Sequence, residues 1–384
     1  MTVFSVHAPG QILFGRGQAD RAAGLVAAYG TRGVLVHGAN PSRAAAVLRG
    51  LQAAGCAVVP LTCATEPTLA MLNDALTVAR PFAPLWVLAI GGGAALDLGK
   101  ALAALIPAPG SAMDHLELVG KGLPLTTPPL PFIALPTTAG TGAEATKNAV
   151  IGLPDHRRKV SLRDDRMLAR LVIVDPALTD GCPWSVTLAS GLDAVVQVIE
   201  PYVSLRATPF TDALALPAIG QGSRALQRLQ QGDDPKARDD MAWVSLCGGL
   251  ALANAGLGAV HGLAGPIGGM SPAPHGAVCG ALVGPVLAMN RTVARQTGIT
   301  SALERLNTVC TIVAQTLGGD CTDAPGTLAQ WARTSGLPTL ATQGLAASTH
   351  AEVVSAASAS SSMKGNPVLL SQTDLHTILT EASR

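Results

Sequence analysis

The sequence has few charged and few aromatic residues. Charged side chains make up 13% of the 384 residues and aromatic side chains only 3%, and the formal net charge is +1. A surface that binds a polyanion needs a cluster of cations, and one that stacks bases needs aromatic rings. The composition therefore argues against nucleic acid as a partner. A hydrophobic content of 48% also excludes a disordered chain.

Cysteines are present in an odd number and without any CxxC pair, which argues against a zinc ribbon or a disulfide framework. This usage is typical of reduced thiols in the cytoplasm. The seven positions are Cys56, Cys63, Cys182, Cys247, Cys279, Cys310 and Cys321.

Residues 241–290 carry no Asp, Glu, Lys or Arg, and the run MAWVSLCGGLALANAGLGAV is long enough to span a membrane. Asn254, the many glycines and the lack of flanking cation clusters favour buried helices of a soluble α-helical core instead. The first residues lack both a basic start and a long apolar run, so we expect no signal peptide. The prediction is a cytoplasmic protein without a membrane partner.

The length of the chain exceeds what one hydrophobic core usually supports, which predicts two domains. Short β-rich runs alternate with Ala-rich amphipathic runs in the first half, as a parallel α/β sheet requires. Beyond about residue 180 the pattern predicts only helices. We place the boundary within 175–183, giving an α/β domain at 1–180 and an all-α domain at 181–384. Strands are predicted at 33–38, 56–62, 85–90, 132–137 and 171–175, and helices at 42–55 and 68–81.

The segment LWVLAIGGGAALDLGKALAAL, residues 85–105, is a candidate phosphate-binding stretch. It indicates an apolar strand, three glycines and an immediate helix. Glycines let the backbone approach a pyrophosphate, and a helix N-terminus offers free N–H groups with a partial positive charge. The stretch lacks the GxGxxG fingerprint and does not follow the first strand, so it departs from a standard Rossmann motif. A tight strand-to-helix turn without a ligand would explain the glycines equally well.

A second stretch, LPTTAGTGAEAT at 135–146, combines hydroxyl groups and glycines that suit a polyphosphate or a ribose. Together, GGGAALDLGK and PTTAGTGAE resemble the signature stretches of the iron-containing (group III) alcohol dehydrogenases. That family includes glycerol dehydrogenases and is related to maleylacetate reductases and dehydroquinate synthases. The resemblance covers most of the chain, through KVSLRDDRMLARLVIVDPALT (159–179) and HGLAGPIGGMSPAPHG (261–276) to KGNPVLLS (364–371).

The resemblance implies a nicotinamide-binding α/β domain with a parallel sheet, followed by an all-α domain, in a dehydroquinate synthase-like architecture with a divalent metal between the domains. Glycines and threonine hydroxyls suit phosphates, and Lys159 supplies a cation for an anionic ligand. We interpret Lys100, in the same stretch as the three glycines, as a solvated helix lysine. The positions that match family cofactor contacts are Gly91, Gly92, Gly93, Asp97, Thr137, Thr138, Lys159 and Leu178.

The strand at 33–38 lacks the terminal acidic residue with which NAD-selective enzymes bind the ribose 2′-OH. It ends instead at Gly38 and is followed by Asn40, Ser42 and Arg43, which could receive a 2′-phosphate at a helix start. We therefore expect NADPH to be used at least as well as NADH. In the alternative, these residues only cap the helix.

The family metal site has one aspartate and three histidines, and Asp193, His261 and His275 match three of these positions. The fourth position, one helical turn after Asp193, is Gln197. Burying an unpaired carboxylate is costly, which favours a cation beside Asp193, and the amide oxygen of Gln197 would complete an O,O,N,N set for iron or zinc. In the alternative, Gln197 hydrogen-bonds Asp193 without any metal. Many relatives carry a further histidine near the substrate, where this chain has Gly265.

The expected function is an NAD(P)-dependent, metal-assisted alcohol dehydrogenase or aldehyde reductase acting on a small alcohol or aldehyde. Asp193, His261 and His275 are the expected catalytic residues, and the resemblance implies a homodimer or larger homo-oligomer. A maleylacetate reductase-like enzyme is one alternative. A dehydroquinate synthase-like lyase would need basic residues that 241–290 lacks. A catalytically impaired dinucleotide-binding protein is suggested by Gln197 and Gly265.

Overall fold

The computed structural model describes residues 3–384, which form two compact units. The α/β unit comprises 7–138 and 142–180. The helical unit comprises 181–384, together with 139–141 and the described residues up to Val6. The division at residue 180 falls where the sequence pattern changes. The assignment of 139–141 to the helical unit is a feature that the sequence pattern did not indicate.

The α/β unit contains a six-stranded sheet, in which every described pairing is parallel, and a separate antiparallel hairpin. The described strands are β1 (Ile12–Phe14), β2 (Arg32–His37), β3 (Ala57–Thr62), β4 (Trp86–Gly91), β5 (Phe132–Pro136), β6 (Asn148–Leu153), β7 (Arg158–Arg163) and β8 (Leu171–Val174). The helices of this unit are α1 (Ala22–Ala27), α2 (Ser42–Ala53), α3 (Leu69–Phe82), α4 (Gly93–Leu105) and α5 (Ala112–His115). The five strands expected from the sequence are present, while β1 and the β6–β7 hairpin were not predicted.

The order of the sheet is β1-β8-β5-β4-β2-β3. From β2 the chain passes to β3 on one side and then to β4 on the other, so the winding direction reverses between β2 and β4. In open parallel sheets, ligands bind outside the carboxyl ends of the strands at such a reversal. Gly38 follows β2 and Gly91 ends β4, so glycines occupy both strand ends at this position.

The helical unit consists of α6 to α14 with one hydrophobic core. This core includes Leu192, Val196, Val278 and Val309. The bounds are α6 (Trp184–Val203), α7 (Pro209–Gln231), α8 (Pro235–Ala255), α9 (Ala259–Met270), α10 (His275–Thr297), α11 (Thr300–Leu317), α12 (Ala324–Thr334), α13 (His350–Ser358) and α14 (Gln372–Ala382).

The uncharged run 241–290 forms the end of α8, all of α9 and most of α10. Within the described residues, α10 is long and apolar enough to cross a membrane, and α8 and α9 would pass the same test as a pair bent by 98°. However, 78% of the apolar window of α10 is buried inside the fold. That burial agrees with the expectation of core helices rather than a membrane span.

Candidate metal centre and cofactor site

His261 and His275, the two histidines of the stretch 261–276, lie near the starts of consecutive helices. His261 is the third residue of α9 and His275 is the first residue of α10. The intervening segment contains Pro272 and Pro274, which favour a break between the helices because neither residue has a backbone N–H to donate. The chain therefore turns between the helices and brings both imidazoles to one place.

The start of α9 is buried, and side chains from distant parts of the chain bind its free N–H groups. Val260 N donates to Glu200 Oε1 at 2.7 Å, and Ala259 N donates to Asn366 Oδ1 at 3.1 Å. The second oxygen of Glu200 accepts from His261 Nδ1 at 2.7 Å. Glu200 thus fixes both the helix start and the ring, and it leaves His261 Nε2 to face the interior of the site.

The start of α10 packs closely against α6. A Cβ atom at Gly276 would lie 2.5 Å from the carbonyl oxygen of Ala189 and 3.3 Å from Asp193 Cβ. The first distance is shorter than real contacts allow, so this approach of the two helices requires glycine. The close approach sets the adjacent His275 beside Asp193.

Asp193, His261, His275 and Cys279 form one cluster, in which each offers a ligand atom within 4.8 Å of the others. Asp193 Oδ1 lies 3.4 Å from His261 Nε2 and 3.9 Å from His275 Nε2. Cys279 Sγ lies 3.8 Å and 3.6 Å from the same two nitrogens. Carboxylate, imidazole and thiol are all metal-ligating groups, so the cluster is a candidate metal centre.

Anionic groups dominate the electrostatics of the cluster. Burial raises the pKa of Asp193, but His275 and His261 outweigh it and hold that pKa below its ordinary value. Burial lowers the pKa of His261, but Cys279, Asp193 and Glu200 outweigh it and hold that pKa well above its ordinary value. Cys279 is also the main cause that raises the pKa of His275 to about 9. The pocket therefore favours positive charge, whether from protons or from a cation.

Two buried oxygens near this cluster lack hydrogen bonds within residues 3–384, namely Asp193 Oδ1 and Gln197 Oε1. Gln197 Nε2 donates to Gly140 O at 3.2 Å, so the amide is anchored to the 139–141 segment. The hydrogen bond between Gln197 and Asp193 that one alternative requires is not found among the described contacts. An unpaired buried carboxylate oxygen is costly, and a bound cation would remove that cost.

Three further residues of the site were not predicted from the sequence, namely Cys279, Glu200 and Asn366. Cys279 follows His275 by four positions and shares its helix face, a spacing that could have signalled a ligand pair. Glu200 follows Asp193 by seven positions, which places it on the same side of α6. Asn366 lies in the KGNPVLLS stretch, and only tertiary structure shows that it binds α9.

Several predicted cofactor residues come together at the carboxyl edge of the sheet. A Cβ atom at Gly91 would lie 3.3 Å from Gly38 N, and one at Gly92 would lie 3.3 Å from Thr138 Oγ1. Thr137 N donates to Gly91 O at 2.9 Å. Gly92 is the N-cap of α4, which begins at Gly93, and among described residues no side chain of the cap binds the helix start. The N-terminus of α4 is thus available to an anion.

The residues after β2 have two different roles. Asn40 Oδ1 accepts from Ser42 N at 3.0 Å and from Ser42 Oγ at 2.7 Å, so this pair organises the start of α2. Arg43 Nη1 donates to Leu178 O at 2.9 Å, which joins the segment after β2 to the turn after β8. The structure therefore brings Arg43 and Leu178 together. The helix-capping alternative describes Asn40 and Ser42 well.

Asp97 and Lys159 make protein contacts. Asp97 Oδ2 accepts from Val150 N at 3.1 Å, which ties α4 to β6. Lys159 of β7 forms an ion pair with Glu66. These contacts give both residues a structural role that the sequence did not indicate.

The interpretation of Lys100 as a solvated lysine is wrong. Lys100 is 1% exposed, and its Nζ donates to Ala143 O, Thr146 Oγ1 and Asn148 O at 2.7 to 2.8 Å. Burial lowers its pKa to about 8, and burial raises the pKa of the neighbouring Glu144 to about 7. Lys100 therefore joins α4 to the segment that follows β5.

Two glycines in the 261–276 stretch allow a matched test of whether the close packing of α10 against α6 requires glycine. We expect Gly276→Ala to lower the free energy of unfolding by about 1–3 kcal/mol, because its Cβ meets backbone. At Gly265, in α9, a Cβ would meet no described atom within 4 Å, so Gly265→Ala should raise the free energy of unfolding by up to about 1 kcal/mol. Thermal and urea unfolding of both variants measure this. If both variants changed the free energy of unfolding in the same direction, the packing argument would be contradicted.

Comparison with known proteins gives matches along nearly the whole chain. The iron-containing alcohol dehydrogenase family matches residues 9–176, and the C-terminal part of the Fe-containing alcohol dehydrogenase family matches residues 187–383. The chain is 43% identical over 212 residues to long-chain-alcohol dehydrogenase 1 of Geobacillus thermodenitrificans, covering 55% of this chain and 53% of that protein.

Two further similarities extend this result. The probable alcohol dehydrogenase EutG of Escherichia coli is 36% identical over 254 residues, covering 66% of this chain and 63% of that protein. The chain thus spans between about half and two thirds of the length of these curated relatives. The structure of an alcohol dehydrogenase from Oenococcus oeni matches with a TM-score of 0.87 and 26% identity, over 99% of this chain and 100% of that one. This likeness confirms the predicted fold class.

Proposed function

The chain belongs to the iron-containing alcohol dehydrogenase family, and from that premise we propose that it is an NAD(P)-dependent, metal-assisted alcohol dehydrogenase or aldehyde reductase. The family uses NAD(P)H and a divalent metal, most often iron. The observation that carries the proposal is the buried cluster of Asp193, His261 and His275, in which a carboxylate oxygen without a hydrogen bond among the described residues faces two imidazole nitrogens. Metal analysis of the purified protein, combined with an aldehyde panel under NADH and NADPH, tests it.

In this proposal Asp193, His261 and His275 hold the metal, and Gln197 presents a buried amide oxygen one turn after Asp193. The donor set fits a divalent cation because one carboxylate supplies charge and two imidazoles supply nitrogen. When bound, the metal supplies Lewis acidity to the substrate oxygen, and the nicotinamide exchanges hydride at C4. Protein that retains no divalent metal after purification in metal-supplemented buffer would contradict this assignment.

The protein side chains around the cluster have separable roles. Glu200 holds His261 in the orientation that presents Nε2. The side chain of Asp193 is 1% exposed and that of His275 is 32% exposed, so we expect the substrate to approach past His275. Gly265 stands where many relatives have a histidine, so this position offers no side chain that could donate or accept a proton.

We place the nicotinamide cofactor at the carboxyl edge of the sheet in the α/β unit. The support is the winding reversal between β2 and β4, the glycines at 38 and 91–93, and the N-terminus of α4. Thr137 and Thr138 add hydroxyls beside Gly91 and Gly92. Asp97 and Lys159 act in this assignment through the segments they hold, because both already have protein partners.

NADPH is expected to serve at least as well as NADH, because no acidic residue follows β2 to repel a 2′-phosphate and Arg43 lies beside this edge. Arg43→Ala should lower kcat/KM for NADPH by about tenfold or more and leave NADH nearly unchanged, since a lost charged hydrogen bond is worth about 1.5–3 kcal/mol. Arg49→Ala on the same helix, also exposed, is the control. A wild-type kcat/KM that favours NADH more than about tenfold would overturn this preference.

We also propose a homo-oligomer, on the basis of the family resemblance. Light scattering should return at least twice the chain mass of 38.7 kDa at micromolar concentration. A mass that stays at one chain across the micromolar range would count against assembly.

A cytoplasmic location is proposed from the cysteines. Each of the seven is free in the structure, including Cys182 and Cys321, which are partly exposed. Free thiols persist in reducing compartments. Immunolocalisation or cell fractionation would test the location.

A further inference from the structure

We propose that Cys279 is the fourth protein ligand of the metal, and that the centre therefore selects zinc over iron more strongly than a site with a third imidazole would. The inference rests on the proposed metal-dependent function and deepens it. The family pattern expects an imidazole at the position of Gln197. This chain has an amide there and carries a thiol in the cluster instead.

Three of the four N···O and S···N distances in the cluster lie within about 0.2 Å of the edges of a zinc tetrahedron, and the fourth is about 0.5 Å longer. With Zn–N and Zn–O of about 2.0–2.1 Å and Zn–S of about 2.3 Å, tetrahedral angles give edges of about 3.4 Å for N···O and about 3.6 Å for S···N. Asp193 Oδ1 lies 3.4 and 3.9 Å from the two imidazole nitrogens, and Cys279 Sγ lies 3.8 and 3.6 Å from them. A single ion can therefore reach all four atoms with small side-chain adjustments.

The backbone supports this ligand set. His275 and Cys279 are one turn apart on α10, so both point from the same face. His261 comes from α9 and Asp193 from α6. Cys279 is completely buried, and Asp193 Oδ1 lies in the same cluster without a hydrogen bond among the described residues.

Gln197 is less well placed to be the fourth ligand. Its Nε2 donates to Gly140 O, which anchors the amide to the 139–141 segment. Cys279 Sγ, in contrast, lies beside both imidazole nitrogens. An amide oxygen is also a harder and neutral donor, which suits zinc less than a thiolate does.

Charge balance favours the thiol as well. A divalent ion bound by one carboxylate, two neutral imidazoles and one thiolate is formally neutral, which lowers the cost of burying it. The thiol gives up its proton to solvent when the metal binds, and the metal takes its place. Thiolate ligands select zinc over iron in such mixed sites.

X-ray absorption at the zinc edge of the zinc-loaded full chain tests the ligand directly. We expect one sulfur scatterer at about 2.3 Å in the wild type, and none in Cys279→Ser. Cys310→Ser is the matched control, because Cys310 is also completely buried in the helical unit but lies outside the cluster. The spectrum of Cys310→Ser should still show the sulfur scatterer. A wild-type spectrum with only nitrogen and oxygen scatterers would overturn the proposal.

Competition dialysis with zinc and ferrous iron under anaerobic conditions tests the selectivity. Cys279→Ser should bind zinc at least tenfold more weakly than the wild type, and its preference for zinc over iron should fall. Adding Gln197→His to that variant should restore metal affinity with a preference shifted towards iron. Unchanged zinc affinity and selectivity in Cys279→Ser would reject the thiolate ligand.

These experiments separate the ligand assignment from the proposed function. A zinc–sulfur signal in a protein that reduces no carbonyl compound would leave Cys279 as a ligand and defeat the dehydrogenase. Carbonyl reduction by a protein whose metal shows no sulfur scatterer would support the dehydrogenase and reject Cys279 as a ligand. Circular dichroism of each variant shows whether a loss of binding comes from misfolding.

Discussion

Asp193→Ala is expected to abolish metal retention and carbonyl reduction together while the helical unit stays folded. Asp193 supplies the carboxylate of the cluster and is 1% exposed. Its removal leaves His261, His275 and Cys279 without the carboxylate of the proposed ligand set. His275→Ala should act in the same way, because it removes one of the two imidazoles.

Stability measurements give a readout of this prediction that is independent of catalysis. Added zinc at 100 times its Kd should stabilise the wild type by about 2.7 kcal/mol, and should not stabilise Asp193→Ala. Without metal, Asp193→Ala should be less stable than the wild type, since it removes the carboxylate that pairs with the imidazoles of His261 and His275. His376→Ala, at an exposed position on α14, is the control for His275→Ala and should keep the metal response. Wild-type activity that survives exhaustive chelation would remove the metal from the mechanism.

Lys100→Met is expected to lower the free energy of unfolding by about 1–3 kcal/mol. The ammonium group donates to three buried oxygens, and methionine would remove that donor from each of them, although Ala143 O would still accept from Thr146 Oγ1. Each unpaired buried acceptor costs about 1–3 kcal/mol. Lys121→Met is the matched control, because Lys121 has a side chain 71% exposed and pairs with Asp114 on the surface. That variant should change stability by less than about 1 kcal/mol.

The stability of the wild type should also depend on pH through Lys100. Burial lowers its pKa from 10.5 to about 8, so between these values the unfolded chain binds more protons than the folded one. The contribution of Lys100 to the free energy of unfolding therefore rises as pH increases from about 8 to 10.5. The free energy of unfolding of Lys100→Met should lack this rise with pH. A wild type and variant with the same slope across this range would contradict the assignment.

The error over Lys100 and the missed hairpin have a single cause. Asp97 and Lys100 are three positions apart on a helix, a spacing typical of exposed ion pairs. In the fold, β6 lies against α4, and its Val150 N–H and Asn148 carbonyl bind these two side chains. The segment at 148–163 contains the apolar run AVIGL, but its packing against α4 is a tertiary contact that local periodicity does not specify.

The parts of the site that could be predicted are those encoded locally. A strand followed by glycines and a helix predicted the edge at Gly91 to Gly93, and motif order placed Asp193, His261 and His275. The role of Cys279 depends on how α6, α9 and α10 pack, which a single sequence pattern does not specify. The same holds for Glu200 and Asn366, whose partners at the start of α9 are 60 and 107 positions away along the chain.

All four ligand atoms of the cluster belong to the helical unit, between Asp193 and Cys279. A bound ion would therefore cross-link α6, α9 and α10 without involving the sheet. Its binding free energy would appear as folding free energy of that unit alone. Removing the metal would then lower the stability of the helical unit and leave that of the α/β unit unchanged.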